Sequence, residues 1–198
     1  MCGGGLLIGM PTIREIEELV SRLRDPAIHE TLKEPALAVL LAAGMAPEDA
    51  GPAADLNAML YLETDRGCAL VGAAFLDGLL ERMLRAVMAE GASANAVVGR
   101  SLRSFGSRIQ ACHALALLRD SQRDDLEVIR LVRNCFAHAP VSLDFGAANV
   151  AGQCGRLTVQ PQDVGASASP RQRFAWAVAS LTGQLHARLR AGIERVSG

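Results

Sequence analysis

Arg133, Asn134 and His138 form the one short run in this sequence whose residue types and spacing ask for chemistry. They fall in the last turns of an apolar-periodic stretch that Pro140 ends, because proline has no amide to donate and restricts the residue before it. Residues four apart share a helix face, so Asn134 and His138 align, with Arg133 about 100° round from Asn134. A phosphate suits such a cluster: Arg offers a charged fork, Asn an amide donor, and His a proton near neutral pH. A helix C-terminus also favours an imidazolium. The plainer reading is a histidine that caps free carbonyls and an arginine paired across a bundle with Asp77 or Glu81.

A second charged set is Asp77, Glu81 and Arg85, spaced four apart along the strongest helical pattern of the chain, about 65–89. It reads either as a surface charge ladder or as an acidic pair that meets a basic partner elsewhere. Arg108 and His113, on an expected helix 104–118, read as solvent or interface contacts. Four histidines without HExxH spacing and five cysteines without a CxxC pair give no metal site and no disulfide framework. Cys68, Cys112 and Cys135 lie inside apolar patterns and read as reduced core thiols. No cofactor motif is present.

The elements that must position these residues are helical. Of 198 residues, 33 are Ala, 27 Leu and 19 Arg, all good helix formers, and only 4% are aromatic. The expected fold is all-α: a bundle of about four long helices, short helices at the N-terminus, and a minor hairpin at 141–160, where apolar and polar residues alternate. Residues 1–52 read as a short helical N-terminal segment and 53–198 as the bundle domain. In the first part, Thr12 and Glu15 form a capping box, Asp25–Pro26 and Glu34–Pro35 mark helix restarts, and Met45 to Pro52 reads as a linker. In the second, Gly91 to Arg100 reads as a small-residue loop, Ser121 to Asp124 as the cap of a helix 121–138, and Ser169–Pro170 as the start of the last helix. That helix carries a heptad-like face, Phe174, Ala177, Val178, Leu181, Leu185 and Leu189, which closes the core or pairs two copies into a homodimer.

The net charge of −1 excludes a strongly basic nucleic-acid binder. The longest apolar run is too short and too polar to cross a membrane. The apolar start carries no basic leader, so the expected location is cytoplasmic.

Four blocks carry a resemblance. The stretch 66–82, then Phe105 to Ile109 with Ala114 to Leu117, then Asp125 to Asn134, and finally Phe136 to His138 resemble, in that order, the core of the mannitol operon repressor family. The likeness covers roughly 56–138 and implies a helical regulatory or interaction protein. The sequence shows no helix-turn-helix and no basic recognition stripe, and Asp124, Asp125 and Glu127 would face a phosphate backbone badly. A protein partner is therefore the expected target rather than duplex DNA. The string of Arg133, Asn134 and His138 is also similar to the motif of HEPN domains, small bundles that are often dimeric. That likeness implies the alternative, a metal-independent endoribonuclease acting on RNA, with Arg133 and His138 in the catalytic roles and Asn134 beside them.

Overall fold

In the computed structural model, Pro47 and Pro170 each stand at the first position of a helix, where the missing amide costs nothing. The structure describes residues 26–88, 91–139, 142–158 and 168–192. The expected capping box at Thr12 and Glu15 lies outside the described residues, as does Cys2. The described residues are all-α. They form α1 (Pro26–Ala42), α2 (Pro47–Leu62), α3 (Asp65–Val87), α4 (Ala92–Ala96), a π-helical turn (Val97–Ser101), α5 (Phe105–Ala114), α6 (Asp120–His138), α7 (Ala148–Cys154) and α8 (Pro170–Arg190). None is long and apolar enough to cross a membrane.

The main core joins α2, α3, α5, α6, α7 and α8 through fully buried side chains such as Leu60, Leu76, Leu80, Ile129, Phe136 and Phe174. A chain of tilted rings runs through it: Phe136 to Phe145 at 4.9 Å between centroids, then Phe145 to Phe174 at 5.3 Å. Tilted rings at this spacing contribute roughly 0.5–1.5 kcal/mol each beyond their area. Gly72 lets α3 approach α8 closely, since a Cβ there would stand 3.2 Å from Val178 and 3.3 Å from Phe174. The heptad-like face of α8 is spent inside this core, with Phe174, Ala177, Val178, Leu181 and Leu185 buried.

A smaller apolar cluster lies beside it. Ala36 and Leu40 of α1, Ala50, Ala53 and Ala54 of α2, and Trp176 of α8 pack together. Small alanine side chains let the helix axes draw close. The N-terminal helices therefore dock on the bundle through α2 and α8. Ion pairs reinforce the docking: Lys33 meets Asp55 at 2.9 Å between α1 and α2, and Arg190 meets Asp49 at 2.8 Å between α8 and α2.

Several sequence expectations change. The supposed linker Met45 to Pro52 is mostly the first turns of α2, whose apolar alanines are buried. Residue 52 thus lies within a helix. Pro35 does not restart a helix but sits inside α1, with packing against α2 holding the helix across the lost amide bond. The small-residue loop after Gly91 contains α4 and the π turn, which buries Val98 completely. The described part of the expected hairpin, 142–158, contains no strand. Instead Val150 and Cys154 of α7 turn inward four residues apart, while Phe145 and Leu157 are buried in the flanking segments. Ser121 does not cap α6, which begins one residue earlier at Asp120. Ser169 does cap α8, and Ser104 caps α5, each by accepting from the backbone amide three residues on.

Candidate functional site

The two charged sets separate in space. On α3, Asp77 and Glu81 project from successive turns towards the first turn of α5. The Ser104–Ser107 capping box fixes that turn and so places Arg108. One guanidinium nitrogen of Arg108 donates to Asp77 Oδ2 at 2.6 Å and the other to Glu81 Oε2 at 2.8 Å. The second oxygen of Glu81 accepts from Arg85 at 2.8 and 3.0 Å, and Arg85 also donates to Asn95 of α4 at 2.7 Å. Two acids and two bases form a closed, neutral network that ties α3, α4 and α5 together. Arg108 is only 9% exposed, so it is neither a solvent contact nor a free cation. The acidic pair on α3 meets its basic partner across the bundle, and Arg85 adds the rung along the helix. Inside this network Asp77 Oδ1 and Arg108 Nε are buried without a hydrogen-bond partner.

This arrangement corrects the expected pairing of Arg133 with Asp77 or Glu81, because Arg108 occupies those carboxylates. Arg133 is exposed on the outside of α6 and donates to Asn134 Oδ1 at 3.0 Å. Between Arg133 and His138 the helix turns about 140°, so the two point away from a common face. His138 is exposed and makes no hydrogen bond or ion pair among the described residues. It does not cap the helix: the free carbonyl of Ala139 instead accepts from Arg66 of α3 at 2.9 Å. The buried Phe136 between them pins the inner face of α6 and leaves the polar residues outside. The structure thus joins Arg133 to Asn134 and leaves His138 apart. A shallow cavity of about 580 Å³ lies further along the chain, lined by Ser142, Leu143, Asp144, Gly146 and Ala147, none of the cluster.

Acidic residues near the start of α6 also divide. Asp120 and Asp124 are exposed, and Glu127 is engaged with Arg130 and Gln110. Asp125, expected to face outward, is buried and accepts from the Thr158 amide and hydroxyl, both at 2.8 Å. It anchors the segment after α7 to α6. Asp65 does similar work at the start of α3, accepting from the Phe145 amide at 2.9 Å.

One cluster escaped sequence reasoning. Asp49, 1% exposed at the start of α2, accepts from Arg190 at 2.8 Å and lies 3.0 Å from His186 Nδ1. The Arg190 hydrogen bond, followed by that of His186, outweighs burial and holds the Asp49 carboxyl below its ordinary value of 3.8. The available signal was the four-residue spacing of His186 and Arg190, which puts both on one face of α8. Asp49 forms part of the wall of a cleft of about 670 Å³ between the α1–α2 hairpin and α8.

Three thiols, Cys68, Cys112 and Cys154, are inert by position. Burial pushes Cys68 up to about 11 and Cys112 and Cys154 up to about 12, so thiolate is scarce at neutral pH. Cys135 is half-buried. Among the described residues no group of three or more His, Cys, Asp or Glu side chains is placed to hold a metal ion. Compared with protein-family models, curated proteins and solved structures, the chain matches none.

Proposed function

We propose that this chain is a helical regulatory or interaction protein that works through a protein partner rather than by reading duplex DNA. The observation that carries the reading is the outer face of α3, in the block that resembles the mannitol operon repressor family. Phe75 is 43% exposed there, beside the exposed Ala74 and Gly78. An aromatic ring on a flat, small-residue helix surface is the kind of anchor that protein interfaces bury. The charges of the bundle argue against DNA, since Arg108 and Arg85 are neutralised by acids and the exposed start of α6 sets two carboxylates, Asp120 and Asp124, around the single Arg123. A second copy of the chain is one such partner and would make a homodimer; the protein acts in the cytoplasm.

A photo-crosslinking residue in place of Phe75 is expected to give a discrete protein adduct in cells, while one in place of Ser121 gives none. Tight, salt-sensitive binding of the purified protein to duplex DNA would overturn the reading.

A second reading has its own observation. Arg133 and His138 are exposed and neither is held by a carboxylate among the described residues. As in HEPN domains, His138 would act as general acid or base on RNA while Arg133 stabilises charge on the phosphate. Because the two diverge around α6, two clusters would have to meet across a symmetric dimer. The test is cleavage of RNA in EDTA: activity in the wild type that His138→Ala removes supports it, and no activity, or equal activity, rejects it.

A further inference from the structure

We propose that the cleft between the α1–α2 hairpin and α8 is a binding site for a small organic carboxylate with an apolar body. The cleft has the volume of a small-molecule site, about 670 Å³. Leu40 and Met45 line it from the hairpin, Gln184, Ala187 and Arg190 from α8, and Arg119 from the residue ahead of α6. Gly183 shapes this wall. A Cβ at that position would overlap Met45 Sδ, so its absence lets the turn between α1 and α2 settle against α8.

The charge of the cleft decides what it takes. Asp49, the acid in its wall, is already satisfied by Arg190 and His186, and Arg190 also meets Glu48 at 3.3 Å. Arg119 is exposed, and its guanidinium has no carboxylate partner among the described residues. Arg188, in the last turn of α8, donates to the Leu117 carbonyl at 2.6 Å and likewise has no acid partner among them. Burial, and then the nearby positive charge of Arg119, lower the pKa of Arg188 from its ordinary value. Arg119 thus reaches the cleft with no carboxylate of its own, while Arg188, outside the lining, is taken up by the Leu117 carbonyl. Gln184 accepts from Gln122 at 2.8 Å through Oε1, which leaves its NH₂ group as a donor. A carboxylate is the group that a guanidinium fork and an amide donor recognise together. The apolar body would then lie on Leu40, Met45 and Ala187.

A ligand held between the hairpin and α8 would staple the N-terminal helices to the bundle and raise stability by mass action. The site lies apart from the α3 face and from Arg133, so it stands whether or not either functional reading does.

The test titrates the full chain with octanoate by calorimetry and thermal melting, with octanol, acetate and inorganic phosphate as parallel probes. Octanoate is expected to bind saturably at one site and raise the melting temperature, while octanol, acetate and phosphate do not saturate over the same range. Arg119→Gln, an exposed change, is expected to weaken octanoate about tenfold, the loss of one charge-assisted contact. Ala187→Phe is expected to abolish binding by filling the cleft, with circular dichroism confirming the fold. Equal binding of octanol and octanoate, equal binding of phosphate, full affinity in Arg119→Gln, or no saturable octanoate binding each overturns the proposal.

Discussion

Arg108 and Arg133 are the same residue type on helices of the same bundle, and they meet opposite fates. Arg108 lies at the start of α5 against Asp77 and Glu81 and is 9% exposed. Arg133 stands near the end of α6, outside the layer pinned by Phe136, and its side chain hydrogen-bonds only to its neighbour Asn134 among the described residues. The difference lies in what the facing helix supplies. Where α3 offers two carboxylates one turn apart, an arginine becomes a cross-brace and is withdrawn from chemistry. Where no acid faces it, the arginine stays available to a ligand or a partner. A charged motif read along one helix therefore says little until its neighbours are known.

The largest effect that sharpens this comparison is on the brace. Arg108→Ala leaves the part-buried Asp77 without its partner and Glu81 with Arg85 alone, and is expected to cost about 3 kcal/mol, measured by urea unfolding. A loss under about 0.5 kcal/mol would mean that the network is solvated and the contrast with Arg133 false. Next comes the Asp49 cluster, a second brace, here between α2 and α8. Its carboxyl pKa is held below 3.8 by Arg190 first and His186 second. A depressed acid contributes stability that is fully present above the unfolded value and lost as pH falls through the folded one. The thermal midpoint of the wild type is therefore expected to fall on acidification below 3.8 more steeply than that of Asp49→Asn. Parallel acid limbs in the two proteins would remove Asp49 as a titrating brace. The smallest effect belongs to the exposed cluster. Arg133→Ala and His138→Ala are each expected to change stability by no more than about 0.5 kcal/mol. A large loss in either would reveal a structural role and end the comparison.

Much of the fold was legible because helix periodicity and capping are local. The pattern Leu76, Leu80, Met83 and Leu84 marks α3, and Ser169 with Pro170 marks the start of α8. Errors arose where burial overrides local propensity. Gly51 and Pro52 suggested a linker, yet Ala50, Ala53 and Ala54 are fully buried against α1 and α8 and hold α2 helical. Alternation around Leu157 suggested a strand, but the buried Asp125 ties Thr158 by two hydrogen bonds at the end of a short helix instead. The candidate residues are identifiable by type, since Asp77 and Glu81 stand four apart as an acidic pair and Arg108 is a cation on another helical stretch. Their pairing was not, because it depends on the approach of α5 to α3.

The sequence by itself determined a helical chain of near-neutral charge and the positions of its main apolar stripes. These follow from spacings of three and four residues, which one helix reads out alone. Only the tertiary structure decided that Arg108 closes a network, that Arg66 rather than His138 serves the end of α6, and that Asp49, His186 and Arg190 meet beside a cleft. Those partners are separated by up to 141 positions along the chain. Their meeting depends on which helix faces pack together, a choice made by the whole core at once.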